Sequence, residues 1–119
     1  MSRTTAADGP PEDERDVKEL RLEHPSGWLA LTRHQGVPII VDALLDLPPH
    51  REFNKSELAA HAGVTRQTVS RHADRLVELN VIEPVPETTP IRYRVADGEV
   101  VEQLFELNAA LNAAADDSE

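Results

Sequence analysis

Apolar positions along this chain change their period from one stretch to the next, and each period predicts an element. In GVPIIVDALLDLPPH, Val37, Ile40, Val41, Leu44 and Leu45 recur three and four residues apart, the spacing of an amphipathic helix. Pro38 suits its first turn and the pair Pro48-Pro49 stops it, which predicts a helix over about 37–47. The run NKSELAAHAGVTRQTVSRHADRLVELNVI reads as helix, tight turn, helix. Ser56 is the expected cap of a short helix ending at His61 or Ala62, and Gly63 supplies the turn. Thr65 caps a second helix reaching about Leu79, and Asn80 suits the left-handed residue that ends it. In VIEPV and IRYRV the period falls to two, with Ile91, Tyr93 and Val95 alternating against Arg92 and Arg94, which predicts a β-hairpin closed through PETTP. Last, DGEVVEQLFELNAALNAA carries Val100, Val101, Leu104, Phe105, Leu107 and Leu111 on a helical stripe too broad for a lone surface helix. The expected class is mainly α with a small β-hairpin (α+β).

The two ends differ from this middle. Residues 1–24 are acid-rich, polar and interrupted by proline, and bury too little apolar surface to offset the entropy of ordering, so a disordered or weakly ordered leader is expected. Within it, DERDVKELRLEH either adds a short helical turn on Val17, Leu20 and Leu22 or stays solvated. Trp28, Leu29 and Leu31 form an apolar patch that either packs on the domain or joins a subunit contact. The expected division is therefore a leader over 1–24, a compact domain over 25–96, a terminal helix over 97–114 and an acidic tail over 115–119.

From Leu58 to Leu76 the residues resemble the helix-turn-helix signature: Ala59, then Gly63 four residues on, then Val69 six further, with Leu58, Ala62 and Val64 completing the pattern. Ala59 is small where a second helix crosses the first, Gly63 permits the backbone of a three-residue turn, and Val69 anchors the second helix in the core. TRQTVSRHADRLVELNVIEPV, then PIRYRV, then an amphipathic helix, resembles the ArsR/MarR-like winged helix-turn-helix regulators of haloarchaea, from about residue 36 to 112. Ala73 stands where such sequences often have Leu, and Asn80 where Gly is usual. The resemblance implies a winged helix-turn-helix with an added C-terminal dimerisation helix, binding double-stranded DNA as a homodimer to regulate transcription.

Net charge bears directly on that expectation. The chain has 12 Lys and Arg against 22 Asp and Glu, a formal -10, whereas nucleic-acid binders usually carry a basic surplus. Residues 51–94, however, hold seven basic against six acidic residues, so the excess acid lies elsewhere. Only Lys18 and Lys55 are lysines, a low-lysine, high-acid balance that resembles proteins of salt-accumulating halophiles and predicts a halophilic archaeal source. At about 1 M salt the screening length is only about 3 Å, so an acidic surface is weakly repelled by phosphate.

Given a helix-turn-helix, phasing the second helix at about 100° per residue puts Thr65, Val69, Ala73, Leu76 and Leu79 inward and Gln67, Ser70, Arg71, Asp74 and Glu78 outward. Its amino-terminal half then carries the expected base contacts, Arg66, Gln67, Ser70 and Arg71. Thr65, Thr68 and Arg75 are expected on phosphates, and Asp74 and Glu78 point away from DNA or orient Arg71 and Arg75 by ion pairs. Arg92 and Arg94 are candidates for phosphate or a narrow minor groove, although the wing tip carries Glu87. The dimer interface is expected on Val100, Val101, Leu104, Phe105, Leu107 and Leu111; the alternative is a terminal helix folded wholly on its own core.

Other chemistries have little support. The absence of cysteine excludes disulfides, thiol switches and thiolate metal sites. His72 at the edge of the inward face is expected as a packed, hydrogen-bonded core residue, and His24, His34, His50 and His61 lack metal-like pairing, so no metal and no cofactor is expected. There is no phosphate-cradling glycine loop and no recognisable nucleophile arrangement, which argues against an enzyme. No apolar run is long enough for a membrane span or a signal peptide, so a cytoplasmic protein is expected. A protein-interaction module of a transcription or chromosome-organising complex remains the alternative, which the polar outer face of the second helix disfavours. A small-molecule effector is compatible with either, and the sequence identifies none.

Overall fold

The computed structural model describes residues 12–117, and the chain divides into two compact units at Arg33/His34. The boundary falls later than expected, so 25–33, with Trp28, belongs to the first unit rather than to the domain over 25–96. In that first unit α1 (Glu12–Glu23) is a continuous helix, longer than the short helical turn that was one of the two alternatives for this segment, the other being a solvated leader. Its Glu, Arg, Lys and Leu are good helix formers, so backbone preference supports the helix although Val17 and Leu20 stay exposed. The rest of the expected leader, 1–11, lies outside the described residues. Pro25 ends α1, and Ser26 caps the short α2 (Gly27–Thr32) by accepting from the Leu29 N–H at 3.3 Å. Arg33 reaches back to the Leu22 carbonyl at 3.1 Å. Trp28 is 64% exposed.

The second unit is mainly helical with one two-stranded antiparallel hairpin, an α+β arrangement. Its first helix, α3 (Gly36–Leu45), buries Val37, Ile40, Val41, Ala43 and Leu44, the apolar face that the spacing predicts. Asp46 closes it ahead of Pro48-Pro49. The next helix, α4 (Lys55–Ala62), begins differently from expectation: Asn54, not Ser56, is its cap. The Asn54 side chain accepts from the Glu57 N–H at 2.8 Å, and the Glu57 carboxylate accepts from the Asn54 N–H at 2.9 Å. This reciprocal box satisfies two helix-end donors at once, which Ser56, two residues later and with Ala59 three residues on, cannot do.

Gly63 then turns the chain with φ 76°, a left-handed conformation glycine adopts without strain, and donates to the Ala59 carbonyl at 2.9 Å. Thr65 caps α5 (Arg66–Glu78) by accepting from the Thr68 N–H at 3.1 Å. The helix buries Val69, His72, Ala73 and Leu76, and Asn80 follows it with φ 63°. α3 packs on α4, α4 on α5, and α5 on the first strand. Gly36 lies so close to α5 that a Cβ there would meet the Thr68 methyl at 3.0 Å.

The hairpin pairs β1 (Ile82–Val85) with β2 (Arg92–Val95) in the register Ile82↔Val95, Glu83↔Arg94, Pro84↔Tyr93 and Val85↔Arg92. Ile82 and Tyr93 are buried, but Ile91, expected on the same inward series, lies just outside β2 and is exposed. Phe53 extends the sheet: its N–H donates to the Tyr93 carbonyl at 2.9 Å and its carbonyl accepts from the Tyr93 N–H at 2.7 Å. Ile40, Leu44, Leu58, Val69, Leu76, Val81 and Ile82 close the core, each gaining about 1.5–3 kcal/mol from burial. After Gly98 comes α6 (Glu99–Asp117), which runs past the expected end of the terminal helix into the segment expected as a tail. No helix among the described residues is long and apolar enough to cross a membrane.

Candidate nucleic-acid interface

The outer face of α5 carries the predicted base readers. Arg66, Gln67, Ser70 and Arg71 are all exposed, on a helix whose opposite face is closed by Val69, Ala73 and Leu76. The Thr65 cap fixes where the helix starts, and so which side chains occupy its first two turns. Among the described residues neither Arg66 nor Arg71 has a carboxylate within ion-pair distance. In a chain with 22 acidic residues, two exposed arginines on one helix without an ion pair among the described residues distinguish α5.

The residues expected on phosphates divide. Thr65 and Thr68 hold each other, hydroxyl to hydroxyl at 2.9 Å, as part of the helix cap. Arg75 pairs with Glu78 at 3.3 Å, as the one-turn spacing suggested, while Asp74 is exposed and makes no such pair with Arg71. The hairpin arginines are the clearest departure from expectation. Arg92 donates to the Glu57 carboxylate at 3.0 Å and to the Glu52 carbonyl at 3.1 Å, and its Nε lies 3.6 Å from the Glu52 carboxylate. Arg94 donates to its cross-strand neighbour Glu83 at 2.6 Å. Both are only about one-third exposed, with side chains at 33% and 37%. They are therefore engaged with carboxylates and not presented to solvent as free cations.

Lys55 is a contributor that the sequence reading passed over. At the first position of α4 its ammonium reaches the Ser70 hydroxyl on α5 at 3.4 Å. With Asn54, Ser56, Arg66, Pro90, Ile91 and Tyr93 it lines a cleft of about 310 Å³ between the starts of α4 and α5 and the loop end of the hairpin. The signal lay in the sequence: a helix beginning at Asn54 puts the only lysine of the central segment at its amino-terminal end.

Two titrating groups border this region. Glu57 is held below the ordinary carboxylate range, first by the Asn54 N–H and then, against the cost of burial, by Arg92 with Arg51 adding. His72 is buried, and burial first, then the nearby His34 and Arg71, push its pKa down. Its ring lies 5.3 Å from that of His34, tilted by 34°. It is the packed core residue expected, but among the described residues its ring makes no side-chain hydrogen bond. No group of three or more His, Asp or Glu positioned for a metal ion occurs among the described residues.

The stripe on α6 also divides. Val101 is buried and lines a cleft of about 280 Å³ with Leu44, Leu47, Val95 and Phe105, so it faces its own unit and is not free for a partner. Val100, Phe105, Leu107 and Leu111 are exposed, and Leu104 is half-buried. The turn carrying Val101 meets the core, whereas Phe105, one turn on along the same side, lines the same cleft and stays exposed. No protein-family model, curated protein or solved structure matches the chain.

Proposed function

We propose that this chain is a winged helix-turn-helix regulator of transcription, not an enzyme, that binds double-stranded DNA as a homodimer with α5 in the major groove. One observation carries the reading: the exposed start of α5 presents Arg66, Gln67, Ser70 and Arg71, and among the described residues neither arginine has a carboxylate partner. Arg71 suits a bidentate pair with guanine and Gln67 one with adenine, each worth about 1–3 kcal/mol of discrimination. Lys55 and Arg66, across one cleft, suit the flanking phosphate.

The exposed apolar residues of α6 support the dimer, since Val100, Phe105, Leu107 and Leu111 are all exposed on one helix. A two-fold axis there sets two α5 helices on half-sites roughly 34 Å apart, one turn of DNA. Replacing Phe105 by Glu is expected to give monomers in light scattering while Val101 keeps α6 on its own unit; a variant that stays dimeric moves the interface elsewhere.

A second reading, a protein-interaction module, is favoured by the hairpin, whose arginines are paired and whose neighbour Ile91 is exposed. Genomic DNA fragments retained by the purified protein across a KCl series separate the two. A shared pseudo-palindromic site recovered at high salt supports the regulator. Uniform or absent retention at every concentration supports the interaction module.

A further inference from the structure

Arg92 stands 35 residues from Glu57 and 40 from Glu52 in the chain, yet its guanidinium closes on both. One nitrogen, Nη2, serves the Glu57 carboxylate at 3.0 Å and the Glu52 carbonyl at 3.1 Å, while Nε faces the Glu52 carboxylate at 3.6 Å. Glu57 Oε1 is shared in turn: the oxygen that Arg92 holds also accepts the Asn54 N–H that begins α4. One residue along, Tyr93 exchanges two backbone hydrogen bonds with Phe53, and the two rings stack with centroids 6.3 Å apart. The second strand of the hairpin is thus tied to the start of α4 by a backbone bridge and by a charged side chain over the same two residues.

Releasing Arg92 to a phosphate would exchange one anion for another and leave the Glu52 and Glu57 carboxylates facing a polyanion, which disfavours that contact. Holding Arg92 in place instead fixes Pro90 and Ile91, which wall the Lys55–Arg66 cleft. We propose that Arg92 is a positioning residue, a latch that closes on Glu57 and Glu52 to set the stance of the hairpin beside α5, and that it makes no contact with nucleic acid. This assignment rests on the DNA-binding reading only for its functional consequence; the latch belongs to the free protein.

Glu57→Gln is the discriminating variant. Glutamine at that position still caps α4, because the amide oxygen accepts the Asn54 N–H, but it removes the charge that holds Arg92. With Arg92→Gln and the double variant it makes a cycle, read first by hydrogen exchange of the Phe53 and Tyr93 amides in the free protein. Both single variants are expected to speed those two amides by a similar factor, about two- to tenfold for a partly exposed pair, and the double variant no further. Unchanged exchange in Arg92→Gln overturns the latch, whatever the protein binds.

The second reading is duplex binding across a KCl series, using the site recovered from genomic fragments. Both singles are expected to weaken binding a few-fold with the salt slope unchanged. If Arg92→Gln instead flattens the slope by about 1.8, the value of one phosphate in each half-site of the dimer, and Glu57→Gln tightens binding, Arg92 is a DNA contact and the proposal fails. If no duplex is bound while both amides exchange faster, the latch stands and the DNA-binding reading falls alone.

Discussion

The outer face of α5 and the outer face of the hairpin each present two arginines, and they differ in what those arginines already hold. Arg66 and Arg71 have no carboxylate in reach among the described residues, whereas Arg92 and Arg94 are closed on Glu57, Glu52 and Glu83. Spacing along the chain gives the direction of a side chain; it does not say whether its charge is spent. In a protein with nearly two acids for every base, the unspent charge is the informative one. An exposed ion pair contributes about 0–1 kcal/mol to stability, so the hairpin pairs matter chiefly because they decide which cations face outward.

The comparison can be broken at several points. Arg71→Ala is expected to weaken specific binding by about 1–3 kcal/mol at the base pair read in each half-site, with the melting temperature within about a degree or two of the parent. Unchanged specific affinity in an electrophoretic shift assay removes Arg71 from the readers. Lys55→Gln should weaken binding to all sequences alike and lower the salt slope by about 1.8, one phosphate's worth in each half-site of the dimer. An unaltered slope moves the Lys55–Arg66 cleft off the DNA. Arg94→Gln, by contrast, is expected to leave the slope unchanged and to cost about 0–1 kcal/mol of stability by denaturant unfolding, because its charge is committed to Glu83. A slope reduced as far as by Lys55→Gln would erase the distinction between the two faces.

The smallest expected effect is on pH dependence. Burial, with His34 and Arg71 nearby, lowers the pKa of His72 in the folded chain, so between that lowered value and the ordinary 6.5 the unfolded chain binds the extra proton. Stability should therefore rise with pH up to about 6.5 and be lost as pH falls through that window. His72→Gln is expected to flatten the rise of melting temperature with pH below about 6.5; an unchanged profile assigns the slope to other groups. Glu57 contributes in the same direction at lower pH, since its depressed pKa gives stability that is present above the ordinary carboxylate value and lost as pH falls toward the folded one.

Much of the second unit was legible in the residues. The expected second helix ran over about 65–79 and the observed α5 is Arg66–Glu78, because Thr65 and Asn80 carry recognisable end chemistry. The hairpin strands were legible from their period of two. The start of α4 was misread through Ser56, although Asn54 and Glu57 stand at capping-box spacing, the stronger signal. The first unit was misjudged because lack of apolar surface argues against packing, not against a helix of Glu, Arg, Lys and Leu. Val101 and Phe105 share one stripe in the sequence, yet only Val101 is buried, since which flank of a broad stripe meets the core depends on the approach of α6. The pairing of Arg92 was out of reach for a stronger reason: its partners arrive from 35 and 40 residues away, and only the assembled sheet edge at Phe53 and Tyr93 brings them together.

The most direct test is a backbone-amide chemical-shift map of the labelled protein titrated with the duplex recovered from its genomic fragments. The account predicts the largest shifts at residues 66–71 and at Lys55, with β1 and the Glu83–Arg94 pair little changed. Shifts concentrated on the hairpin while the start of α5 stays still would contradict it.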